Sequence, residues 1–188
     1  NIKDVFYLST SATVTRNTSG VGSAQLDLSA YIDPIARGKT KGIGLAIYKV
    51  HYSVLNNDTT SILAPDDGEA AILTMSLQAG LGIGNNATGA VTAGATAAGF
   101  TADNALLVSG ATYYAPGSFP GADAVTHQYM MPSKDVPYVI VRDNVCLVYN
   151  VDAAQKAVDD LQIAVRMECA QISLDQKTLN QLLRTQTV

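Results

Sequence analysis

Few residues in this chain have the type and spacing that chemistry requires. Only two histidines occur, His51 and His127. A Ser-His-Asp triad or a histidine-rich zinc site needs several such groups brought together, so neither chemistry has much to draw on. His51 falls in an alternating stretch on the same side as Lys49 and Ser53, which reads as a solvated or interface position. The two cysteines, Cys146 and Cys169, both sit inside apolar runs. Such surroundings do not activate a thiolate, and two buried free thiols are the expectation. A disulfide requires the two strands that carry them to pair in register. Asp159 and Asp160 read as the end of a turn. No catalytic residue is nominated, and the chain is not expected to be an enzyme.

Three loop motifs suggest ligands and then fall short of them. Gly80, Gly82 and Gly84 follow an expected strand, with Asp103 about twenty positions on, as a dinucleotide fold requires. The residues after Gly84 include Asn85, Asn86, Gly89 and Gly94, a poor helix, so a flexible loop is expected. Asp66, Asp67 and Glu69 crowd a turn at Gly68, with Asn57 and Asp58 nearby. Calcium favours clustered oxygens, but the EF-hand spacing is missing, and a plain acidic turn is the expectation. Asn17, Asn57 and Asn86 begin glycosylation sequons that matter only on a eukaryotic secretory route. Neither a cofactor nor a metal is expected.

Composition narrows the function classes further. Of 188 residues, 47% are hydrophobic and only 15% charged, against about a quarter charged in ordinary soluble domains. Much of the surface must then be Ser, Thr, Asn, Gln, Gly and Ala, which suits a protein that covers its outside with copies of itself. Nine tyrosines and no tryptophan fit positions that are half buried and half wet. The net charge is −4 and the densest basic group is only Arg37, Lys39 and Lys41. Strong direct nucleic-acid binding is not expected, because phosphate neutralisation needs clustered cations. No apolar run approaches the roughly twenty residues of a transmembrane helix.

The elements that must carry these residues show a period of two. In 161–169, Leu161, Ile163, Val165, Met167 and Cys169 alternate with Gln162, Ala164, Arg166 and Glu168. The same alternation runs through 24–32, and through 47–54 with Tyr48, Val50, Tyr52 and Val54 on one face. These are half-buried strands. Further strands are expected at 5–15, 70–77 and 138–149, with weaker ones at 105–109 and 125–131. Turn-forming clusters separate them, including one at 132–137. Two helical segments are expected: 150–160 behind Asn150, and a terminal helix capped by Asp175 that carries Leu179, Leu182 and Leu183. Residues 79–112 form a Gly, Ala and Thr-rich excursion with almost no charge. The expected fold is all-β: one antiparallel β-sandwich domain over 1–188, a jelly roll of about eight strands with a short C-terminal helix.

With these strands in place, the chain resembles the single jelly-roll capsid proteins of small icosahedral viruses. The resemblance rests on about eight strands, opening at 5–15 and closing at 138–149 and 161–174, with long polar loops and a low-charge surface. It implies a structural shell subunit of a virion whose partners are copies of itself, with a second shell protein as a further partner. Many such proteins carry a basic arm before the first strand; none precedes residue 5 in this sequence, which under the resemblance implies either that the genome is packaged with other help or that an arm is missing from this chain. The expected assembly contacts are the excursion at 79–112 and the tail at 175–188, with Leu179, Leu182 and Leu183 in front. The alternative is an extracellular carbohydrate-binding or adhesive sandwich, with Tyr113 and Tyr114 as its aromatic platform. A cupin enzyme would need more histidines than this chain has.

Overall fold

The computed structural model describes residues 4–15, 20–34, 41–56, 71–79, 104–115, 125–151 and 160–186. Nine strands follow in order: β1 (Phe6–Val14), β2 (Gly20–Asp27), β3 (Lys41–Asn56), β4 (Ala71–Ala79), β5 (Leu107–Ala115), β6 (Val125–Tyr129), β7 (Tyr138–Ile140), β8 (Asn144–Val151) and β9 (Leu161–Asp175). A single described helix, α1 (Gln176–Thr185), closes the chain. One sheet has the order β1-β9-β3-β7 and the other β2-β8-β4-β5-β6.

Every pairing is antiparallel, and the pairs nest: β1 with β9, β2 with β8, β3 with β7, β4 with β5. That is the pattern of one long hairpin ribbon wound around itself, with successive pairs landing in alternate sheets. The winding is a jelly roll, with β6 added to one edge. The fold expectation therefore holds.

The core lies between the sheets. Leu161, Ile163, Val165, Met167 and Cys169 of β9 meet Leu73, Met75 and Leu77 of β4 and Val145 and Leu147 of β8 in one buried cluster. Alternation supplies this, since each strand turns every second side chain inward. Tyr52 of β3 fastens the two sheets by donating its hydroxyl to the Ser109 carbonyl of β5 at 2.9 Å.

Five details differ from the sequence reading. The strand expected over 24–32 stops at Asp27, whose carboxylate accepts the Ser29 N–H at 2.8 Å; Tyr31 and Ile32 then donate back to the Leu28 carbonyl. A local side-chain bond has replaced the ladder. The alternation of 47–54 is broken by a bulge: Ile47 pairs with Cys169 and Lys49 with Glu168, leaving Tyr48 as the extra residue. Ile47 and Val50 therefore both reach the core. The strand expected over 138–149 is two strands in opposite sheets, split at Val141, Arg142 and Asp143. Asn150 and Val151 continue β8 rather than opening a helix, and 152–159 lie outside the described residues. The excursion is shorter than expected: Leu107–Ala115 is β5, in the interior of its sheet.

Candidate assembly surfaces

The tail begins where β9 ends. Asp175 caps α1 from an extended backbone, its carboxylate accepting the Thr178 N–H at 2.7 Å. Hydrogen bonds from the Thr178 side chain and backbone hold the Asp175 carboxyl below its ordinary range. Leu179, Leu182 and Leu183 share one helical face by their spacing. Leu179 is fully buried with Val141 and Leu174, while Leu182 and Leu183 are half-buried against the same cluster. Gly42 of β3 makes the seat for Leu179, because a Cβ there would lie 2.8 Å from a Leu179 methyl and 3.2 Å from the Asp33 carbonyl. The three leucines are thus brought together on the chain's own sheet, with Leu179 enclosed and the other two partly open.

Gln186 completes the docking. Its side-chain Nε2 donates to the Val139 carbonyl at 2.6 Å and its Oε1 accepts the Val141 N–H at 3.2 Å. Those two backbone groups flank Ile140 on β7, an edge strand. One amide group thus occupies the bonding slot that a neighbouring strand residue would take. Between Leu183, the turn at Ile32 and Asp33, and Arg142 lies a groove of about 570 Å³. The Leu28 N–H, donating to the Asp143 carbonyl at 2.6 Å, ties its two walls together.

The other sequence candidates are dispersed. His51 on β3 faces Glu168 on β9 at 3.2 Å, next to Arg166, whose guanidinium lies 4.4 Å from the centre of the Tyr7 ring. His127 stacks on Tyr129 in β6, in the other sheet. Cys146 in β8 and Cys169 in β9 are buried, free and in different sheets. Burial pushes their thiols up, to about 11 and about 12. Tyr113 and Tyr114 do not form a platform, because adjacent residues of β5 point to opposite faces. Tyr113 is 4% exposed in the core and Tyr114 40% exposed outside. The Gly80 to Gly84 loop, Asp103, the acidic turn at Asp66 and all three sequons lie outside the described residues.

A second surface lies between β6 and β7, where the sequence reading puts the end of a strand at 131 and a turn at 132–137, while β6 stops at Tyr129. Met130, Met131 and Val136 are exposed there around an apolar cleft of about 350 Å³. The run Met130, Met131, Pro132 is a readable signal of a sticky loop, since methionine is seldom left in water without a contact.

No family model matches the chain, and no curated protein matches it. A solved chain described as Desmodium yellow mottle tymovirus is similar at 10% identity, covering 91% of this chain and 87% of that one, with a TM-score of 0.38. A likeness that weak carries no inference about function.

Proposed function

We propose that the chain is a structural subunit of a virus shell, which assembles with copies of itself through low-charge loop and tail surfaces. The observation that supports this reading is a jelly-roll sandwich that presents exposed apolar side chains between low-charge edges. β1 and β6, at the edges of the two sheets, carry no Lys, Arg, Asp or Glu. Edges of proteins that must avoid one another are usually blunted by charge or proline. In this reading Leu179 anchors the tail, and the partly open Leu182 and Leu183 face a neighbour across the Leu183 groove. The chain has no catalytic role in this reading. The carbohydrate-binding alternative loses the tyrosine platform that suggested it.

The test is the mass of the purified protein by light scattering, with electron microscopy of the same fractions. Closed shells, rings or a defined oligomer are expected. A monomer of 19.7 kDa at every concentration refutes the reading. Truncation before Asp175 is a poor test, because it would uncover Val141, Leu174 and the β7 edge and so damage the monomer itself.

A further inference from the structure

Val125, Met130, Met131 and Val136 are large apolar side chains left exposed within one short stretch of the chain. Soluble proteins seldom display such a group without a partner for it. The stretch is also held in shape. Met130 takes a φ of 53°, the left-handed region, and turns the chain out of β6. The Ser133 N–H donates to the Val136 carbonyl and the Val136 N–H to the Ser133 hydroxyl, both at 3.1 Å, closing the tip. The Tyr138 hydroxyl donates to the Ala105 carbonyl at 2.7 Å, and Ser109 reaches the Met131 sulfur at 3.2 Å, so both ends are pinned to the start of β5. The result is a fixed knob, Val136 at 74% exposure, on the rim of a cleft that Leu107, Val108, Met130, Met131 and Tyr138 also line.

The tip of the turn carries one charge of each sign, Lys134 and Asp135, both exposed. We propose that this turn and cleft are a two-fold contact with a second copy of the chain. Val136 of each copy enters the methionine-lined cleft of the other, and Lys134 of each lies against the partner's Asp135. An unrelated partner would need matching charges of both signs at this spacing, whereas a copy related by a two-fold axis supplies them by symmetry. The flexible methionines adapt the cleft to the incoming side chain. The inference rests on the assembly reading above and names one of its contacts. It is a small contact, below the ~1,200 Å² of a standard interface, and is expected to be a weak dimer on its own.

Three variants test it: Lys134→Asp, Asp135→Lys and Val136→Lys, each followed by sedimentation equilibrium and by a thermal melt that verifies folding. All three positions are exposed, so folding is expected to survive. Each variant alone should raise the dissociation constant by about tenfold or more. An equimolar mixture of Lys134→Asp with Asp135→Lys should recover wild-type association, because a doubly acidic tip then meets a doubly basic one. Wild-type protein that associates while the variants associate equally well overturns this contact and leaves the assembly reading standing. Weak single variants whose mixture stays dissociated overturn the two-fold arrangement. Wild-type protein that is monomeric throughout removes both readings. Anilinonaphthalene sulfonate bound by associated wild type as strongly as by Val136→Lys assigns the cleft to a small apolar ligand and overturns the proposal.

Discussion

Replacing Leu179 with alanine tests whether the terminal helix belongs to the fold of its own chain. The side chain is fully buried and lies over Gly42, beside Val141 and Leu174. Leu→Ala removes three carbons, which at about 0.8 kcal/mol per methylene contributes roughly 2.5 kcal/mol by transfer alone. The hole is walled on one side by a residue with no side chain, so neighbours cannot close it, and the cavity raises the expected loss to about 3–4 kcal/mol. For a chain of this length that corresponds to a melting temperature lower by about 6–16 °C. The value has a ceiling, because α1 can undock locally once its docking free energy is exhausted. Amide exchange at Val141, whose N–H is held by Gln186, separates the two responses. Local undocking accelerates exchange there while the β9 amides stay protected; global loss accelerates both.

The second half of the experiment is Gly42→Ala. Its new methyl would meet Leu179 at 2.8 Å and should cost about 1–3 kcal/mol as overpacking. In the Leu179→Ala background the same change fills vacated space, so its cost should fall by about 1 kcal/mol or more, leaving the 3.2 Å approach to the Asp33 carbonyl. Two variants that destabilise additively, or a Leu179→Ala protein that melts with wild type, would refute the packing described.

Three further outcomes are expected. Cys146 and Cys169, buried and with thiols pushed up to about 11 and about 12, should resist a thiol-specific reagent at pH 8 until the protein is unfolded; rapid labelling of either in the native state would contradict their placement. Asp175 has a carboxyl depressed below its ordinary value of 3.8. The stability it lends to α1 is therefore fully present above that pH and is lost as pH falls through the lower folded value. A carboxyl carbon titration by nuclear magnetic resonance that places Asp175 at or above 3.8 would remove the cap as the cause. Gln186→Ala should remove both bonds to the β7 edge, lowering stability by about 1–3 kcal/mol at ordinary hydrogen-bond values and speeding Val141 exchange; unchanged exchange would show that the edge does not depend on that amide.

What was legible in the sequence was local. Alternation marks Leu161, Ile163, Val165, Met167 and Cys169 as one face of a strand, and the structure buries all five. Asp175 announces a helix start because a side-chain carboxylate satisfies the free Thr178 N–H wherever the rest of the chain goes. Some missed features had signals too. The polar run Arg142, Asp143, Asn144 interrupts an apolar stretch where β7 passes to β8, and Asp27 followed by Ser29 ends β2 in a side-chain turn. The adjacency of Tyr113 and Tyr114 already forbids a common face for them in an extended strand.

Other features have no local signal at all. Period two tells which side chains share a face and nothing about which strand lies alongside, so the pairing of Phe6 with Cys169 and of Gly20 with Val151 belongs to the whole ribbon. The bulge at Tyr48 reconciles two stretches of inward side chains with one partner strand, a constraint that exists only once β3 lies on β9. The spacing of Leu179, Leu182 and Leu183 makes an apolar helix face, but the surface it covers depends on Gly42 leaving space for it and on Gln186 reaching β7. The knob at Val136 and its cleft arise in the same way, from a turn held against the start of β5 by Tyr138 and Ser109. The sequence by itself determined strand type, inward face and helix start, because those depend on neighbours a few residues away. Tertiary structure decided pairing, burial and exposed surface, because those depend on residues brought together from opposite ends of the chain.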